Sequence, residues 1–336
     1  MRSEFDPTLE LATRFTGGGG LAPVTSAAVD WDAFPTAPAA TLTVDAGQPQ
    51  FYLNADARDG TVVGGKTSYT IDQAANQIVR GDPGWSAALH TPAVVTYAYR
   101  ADAPTPMPED AGGFARFNAA QISQAELALK AWSDVANITF VRVGFGTSGE
   151  GAYSNNATIL LGDYTTGVAG SAAFGMYPGS RAAASASGDV WINSTLSYNA
   201  NPLVGNYGGQ MLVHELGHAI GLAHPSDYNA AADVTLTYAT DATYYEDSRQ
   251  YTVMSYFSEA NTGANFGGQY SAAPLIDDIA AAQLEYGPNM TTRTGDTVYG
   301  FHSTADEPWF AVNYSGQKLV IAVWDAGGND TFDFSG

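Results

Sequence analysis

The sequence predicts a layered α/β domain followed by a smaller, turn-rich region, and three observations carry that expectation. Segments rich in β-branched and aromatic residues flank a helically spaced stretch, the arrangement of strand, helix and strand. The 336 residues are 45% hydrophobic, enough to bury a full core. The last twelve, DAGGNDTFDFSG, abandon both periodicities for glycine and aspartate.

Taken in order, residues 1–60 are rich in Ala, Pro, Thr, Gly and Asp, with a four-glycine run at 17–20 and one possible strand, QFYLNA at 50–55. Such a composition buries little surface for its length and reads as an extended arm. Thr91 to Arg100, Ile138 to Val143 and Ala157 to Gly162 are bounded by turn formers and read as strands, as do Ala172 to Tyr177 and Asp189 to Asn193. Between the first two, Ser123 and Glu126 form a capping-box pattern ahead of Leu127, Ala131 and Trp132 at helical spacing. Met211 to Gly221 is a second helix, and Pro274 to Gly287 a third, with proline near its start and glycine at its end. Strand-like segments follow at Trp309 to Tyr314 and Leu319 to Trp324. The expected division is an arm over 1–60, a main domain over 61–287 and a distinct region over 288–336.

A formal charge of −21 with only 13 Lys+Arg argues against nucleic acid or an anionic membrane surface as partner, since both require basic patches. Calcium or cationic partners suit it better. Absence of cysteine excludes disulfides, thiolate metal sites and cysteine nucleophiles. No apolar run approaches the roughly 20 residues of a spanning helix, and the N-terminus lacks the basic-then-apolar layout of a secretory signal.

Three of the five histidines fall within MLVHELGHAIGLAHP, residues 211–225. On a helix His214 and His218 lie about 40° apart around the axis, so both can reach one metal. Leu212, Leu216, Ala219 and Ile220 fall on the opposite side. Gly221 can adopt the left-handed conformation that ends a helix, letting His224 swing back as a third ligand, and Pro225 prevents helical continuation. Three neutral nitrogen ligands are the set of a catalytic zinc with one position left for water. Glu215 is placed to take that water's proton. His90 and His302 are isolated and carry no catalytic expectation.

The string HELGHAIGLAHP followed by VMSYF resembles the metzincin metallopeptidases and, within them, the serralysin group of secreted calcium-binding bacterial proteases. GKTSYTIDQAANQI, KAWSDVANITF, GDVWIN, AHPSDYNA, DSRQYTVMSYF and TTRTGDTVYGF also look like serralysin segments in serralysin order. The resemblance implies a metzincin domain built on a twisted, mixed sheet of about five strands plus helices, followed by the start of a calcium-binding parallel β-roll whose further tandem repeats are missing. It implies zinc on His214, His218 and His224, Glu215 as general base, Met254 in a tight turn beneath the metal, and Tyr256 as a further ligand that swings aside to stabilise the oxyanion. It places protein or peptide substrates antiparallel along the edge strand, here Ala172 to Tyr177. Calcium is implied on backbone oxygens of Arg293, Gly295 and Thr297 with Asp325, Gly327, Gly328 and Asp330.

The function expected is a secreted zinc endopeptidase, monomeric and exported by the type I route. The alternatives are a dedicated processing protease for one cell-surface protein, or a non-catalytic calcium-binding surface protein on a protease scaffold. The arm is expected either to inhibit the cleft, through Asp45, Asp56, Asp59 or the FYLN segment, or to be a tail without contact to it.

Overall fold

A computed structural model describes residues 58, 60–81, 84–108, 111–167, 171–179, 187–230 and 234–336. QFYLNA and the aspartates 45, 56 and 59 lie outside the described residues, as does the arm apart from Arg58 and Gly60.

A five-stranded mixed sheet organises the main domain. Strands β1 (Ala93–Tyr99), β2 (Ile138–Arg142), β3 (Ile159–Tyr164), β4 (Ala173–Gly175) and β5 (Val190–Asn193) stand in the order β2-β1-β3-β5-β4. The first four in that order run parallel, whereas β4 closes the edge antiparallel to β5 with Phe174 opposite Trp191. Every residue of the central strand β3 is buried, as expected for a strand covered on both faces. The expected edge position of 172–177 is observed, although the strand itself spans only Ala173–Gly175, with single backbone bonds at Ala172 and Met176 extending the pairing.

Four helices matter to the site: α1 (Ile71–Ile78), α2 (Ala119–Val135), α3 (Tyr207–Ala219) and α4 (Ile276–Tyr286). Sequence reading missed α1, which a Thr70/Gln73 capping box starts. The helix between β1 and β2 begins four residues before Ser123. Asn118 is its cap, accepting from the Ala120 and Gln121 amides while the Gln121 side chain accepts from the Asn118 amide. Ser123 instead donates to the Ala119 carbonyl, and Glu126 accepts from the hydroxyls of Tyr97 and Tyr99. The upstream box wins because it satisfies the orphan amides of an earlier turn.

Trp132 of α2 is fully buried and donates its indole N–H to the Val213 carbonyl, fixing α2 against α3. Together they cover the sheet with a core that includes Ile122, Leu129, Leu212, Leu216, Val253 and Met254.

The region after 287 departs from the two expected strands. Pro308–Phe310 is a 3₁₀ turn, started by a proline that fits a first turn, and 319–324 is extended without a ladder. Its alternation is nevertheless used: Val320, Ala322 and Trp324 pack on the main core, while Ile321 and Val323 pack on a second cluster with Tyr299, Trp309 and Phe310. Strands β6 (Val298–Gly300) and β7 (Thr331–Asp333) pair in parallel.

Candidate metal centre

Helix α3 carries the first two histidines, and every residue from Gly208 to Ala219 is buried. Its end is a designed reversal: Gly221 has φ 106°, its N–H bonds the His218 carbonyl, and the Leu222 N–H bonds the Gly217 carbonyl at 2.9 Å. The chain is then pinned to α1 by the Ala223 N–H on the Ile78 carbonyl at 2.8 Å. Arg80, just past α1, donates to the carbonyls of His224 and Ser226. His224 is thereby carried back to the helix, as the spacing predicts.

The three imidazoles converge through one atom each. His218 Nε2 lies 3.0 Å and His214 Nε2 3.3 Å from His224 Nε2. Each Nδ1 faces a backbone carbonyl: His214 that of Val253 at 2.8 Å, His218 that of Leu222 at 2.7 Å, His224 that of Tyr228 at 2.8 Å. A carbonyl can only accept, so each Nδ1 carries the proton and each Nε2 is a bare lone pair. Three lone pairs so close repel unless they share a cation. Two nitrogens on one tetrahedral zinc at about 2.0–2.1 Å would stand roughly 3.3–3.4 Å apart, close to the separations found. Burial lowers the His214 pKa to about 4 and, with the neighbouring imidazoles, pushes those of His218 and His224 well down, so all three are neutral near pH 7. The donor set fits zinc.

Glu215 is 3% exposed, and burial raises its carboxyl to about 8 against an opposing hydrogen bond from the Gly175 amide. A cation beside it would lower that value. Strand β4 therefore touches the helix at the glutamate itself. Met254 is fully buried against the ligand-bearing helix, where a Cβ on Gly217, between His214 and His218, would fall 2.5 Å from its Sδ. The glycine of HELGH is thus the space the methionine occupies. The Tyr256 ring lies 4.4 Å from that of His224 and 5.9 Å from that of His214. Burial, with Glu215 nearby, raises its phenol, while a hydrogen bond from the Ala230 amide opposes that rise.

Sequence reading missed the carbonyls of Val253, Leu222 and Tyr228, for which no residue type is a signal, and Arg80. It also missed Tyr177, whose ring stands edge-on to His218 at 5.4 Å. His90 and His302 do not join the histidine cluster, and His302 pairs with Asp333 at 2.9 Å.

The residues expected to hold calcium come together from two segments. The Thr297 amide donates to Asp330 Oδ1 at 2.9 Å, and the Thr297 hydroxyl to the Gly295 carbonyl at 3.0 Å. A Cβ on Gly328 would fall 2.5 Å from the Gly295 oxygen, Asp325 caps the Gly327 amide at 3.0 Å, and Arg293 sits at φ 45°.

Comparison with known proteins supplies the family. The family model described as Peptidase M10 serralysin C terminal matches residues 288–336. Serralysin C of Dickeya chrysanthemi is 46% identical over 282 residues, which is 83% of this chain and 57% of the relative. Metalloprotease AprA of Pseudomonas entomophila (strain L48) is 46% identical over 287 residues, 83% of this chain and 57% of that protein. The serralysin of a Photorhabdus species is 43% identical over 268 residues, 78% of this chain and 53% of the relative. The chain spans a little over half the length of these curated relatives. With its converging histidines and its C-terminal region both accounted for, the chain belongs to the serralysin-type metallopeptidases.

Proposed function

We propose that this chain is a secreted zinc-dependent endopeptidase that hydrolyses peptide bonds in proteins. The observation that carries the reading is the convergence of three Nε2 lone pairs, each freed by a carbonyl on its own Nδ1–H. His214, His218 and His224 hold the metal. Zinc, when bound, supplies an acidified water and polarises the carbonyl under attack.

Glu215 is the general base: it takes the proton from the attacking water and delivers it to the leaving amine, which needs a carboxylate screened from bulk solvent. Tyr256 serves as a further ligand at rest and as a hydrogen-bond donor to the oxyanion during turnover. Substrate lies antiparallel along β4, whose only ladder partner among the described residues is β5. Such an edge binds main chain with little regard for sequence, so broad specificity follows. Met254 supports the histidines from below. Calcium is held by backbone oxygens of Arg293, Gly295 and Thr297 with Asp325, Gly327, Gly328 and Asp330, and export follows the type I route. No helix of the described residues is long and apolar enough to cross a membrane.

The test is hydrolysis of casein or gelatin with and without a chelator, alongside metal analysis. Expected are about one zinc per chain, loss of cleavage on chelation with recovery on adding zinc, and loss of zinc in His218→Ala. Cleavage indifferent to chelation, or stoichiometric zinc in His218→Ala, would overturn the reading.

A further inference from the structure

We propose that two buried aspartates position separate parts of this centre, Asp278 setting His214, and Asp247 setting His224 together with Tyr256. The proposal deepens the zinc-site reading and rests on it. Its starting point is that the three carbonyls holding the imidazole N–H groups differ in what holds them. Leu222 belongs to the turn that ends α3, so His218 is oriented within its own element. Val253 and Tyr228 lie on loops, whose peptide planes need an external anchor.

Asp278, in the first turn of α4, is that anchor for Val253. One of its oxygens accepts the amides of Val253 and Leu275, both at 2.8 Å, and the other accepts the Thr252 hydroxyl. The Thr252 oxygen in turn accepts the Met254 amide at 2.9 Å. Thr252 and Val253 are fastened to the carboxylate directly and Met254 through Thr252, and the middle residue of the three presents its carbonyl to His214.

Asp247 does the same on the other side. Its Oδ1 accepts the hydroxyls of Tyr228 at 2.9 Å and Ser255 at 2.7 Å, and its Oδ2 that of Ser226 at 2.6 Å. Tyr228 gives its carbonyl to His224 and stacks its ring on that imidazole at 5.2 Å. Ser255 immediately precedes Tyr256, whose amide donates to the Tyr228 hydroxyl at 3.4 Å. One carboxylate thus ties the third histidine and the phenol into one unit.

Both aspartates are 0% exposed, and no Lys or Arg among the described residues forms an ion pair with either. Burial pushes Asp278 up to about 7 and Asp247 up to about 6 against their hydrogen bonds. A carboxylate buried without a cation is costly, and such groups cluster where geometry must be held. The two carboxylates share no hydrogen-bond partner, and the link between their two sets is one long backbone bond, the Ser255 amide on the Thr252 carbonyl at 3.5 Å, so separable effects are the discriminating expectation.

The test reads the metal-free protein by NMR with selectively ¹⁵N-labelled histidine, following the Nδ1–H resonances. Tyr228→Phe should shift the His224 resonance and speed its solvent exchange at least tenfold while leaving that of His214 in place; Thr252→Val should do the reverse. Asp247→Ala and Asp278→Ala should give the same pattern more strongly. Asp247→Asn should restore the His224 signal, because the amide oxygen still accepts from Tyr228 and Ser255. Should the alanine variants fail to fold, the milder pair decides. Each mild variant should also weaken zinc binding by about 10–100-fold, the usual effect of removing an outer partner of a metal ligand. Equal disturbance of both histidines by either mild variant, or disturbance by neither, overturns the proposal. The resonances are read without zinc or substrate, so failure of casein hydrolysis would sink the peptidase reading and leave this result standing.

Discussion

Two regions of the chain bring backbone carbonyls to a candidate ion site, and they use them in opposite ways. In the histidine centre the carbonyls of Val253, Leu222 and Tyr228 stand behind the ligands, holding the imidazoles at 2.7–2.8 Å so that nitrogen faces inward. Everything involved is buried, and the arrangement is held by contacts that need no ion. In the C-terminal region the carbonyls of Arg293, Gly295 and Thr297 are themselves the proposed ligands, and Gly295, Gly328 and Asp330 are exposed. A site of the first kind is set by packing before metal arrives; one of the second kind gains order from the ion.

The largest expected effect tests the preset side. Glu215→Gln should keep zinc by metal analysis and lose about 10²–10⁴ in kcat on a peptide substrate, the usual share of a general base, because an amide accepts no proton. Full turnover in that variant would move the proton elsewhere. Next comes Tyr256→Phe, which should lower kcat about 10²–10³-fold with KM changed far less, as for an oxyanion donor acting in the transition state. Unchanged kcat would make the phenol structural.

Gly217→Ala asks how rigid the packing between the histidine-bearing helix and Met254 is. Helix propensity alone predicts a gain of about 1 kcal/mol. The clash of a new Cβ 2.5 Å from Met254 Sδ predicts a loss of about 1–3 kcal/mol instead, read by urea unfolding. The smallest effect lies in the other region. Calcium should stabilise the parent by about 1 kcal/mol, a rise of roughly 2–4 °C in Tm, and leave Asp330→Ala unmoved. Equal shifts in both would place the ion elsewhere.

The convergence of His214, His218 and His224 was legible in the sequence because helical periodicity and a glycine stop are local rules, and the structure obeys both at His214, His218 and Gly221. The start of α3 was not. Gly208 and Gly209 look like turn formers, yet they lie inside the helix, where a Cβ on them would fall 2.0 Å and 2.2 Å from the carbonyl oxygens of Tyr198 and Leu203. Those glycines serve close packing against a segment that no local rule locates. The five-strand count and the β4 edge followed from strand-like runs and from family resemblance. At 319–324 alternation marked two faces correctly and the partner wrongly, since both faces are partly buried by packing on two clusters without a ladder. Asp247 and Asp278 escaped notice for a related reason: an acid's importance lies in which distant amides and hydroxyls reach it.

Gly175 shows what such closeness means for sequence change. A Cβ there would fall 2.4 Å from the Glu215 carbonyl oxygen and 3.0 Å from the His218 Cβ, so the outer strand and the ligand helix touch with no side chain between them. In a saturation library this position should tolerate almost nothing besides glycine, while Ala173 and Phe174, two residues and one residue before it, admit alternatives. Anyone redesigning cleavage preference along that strand inherits a fixed point. The surface that would select the peptide and the glutamate that would cut it cannot be varied independently through residue 175.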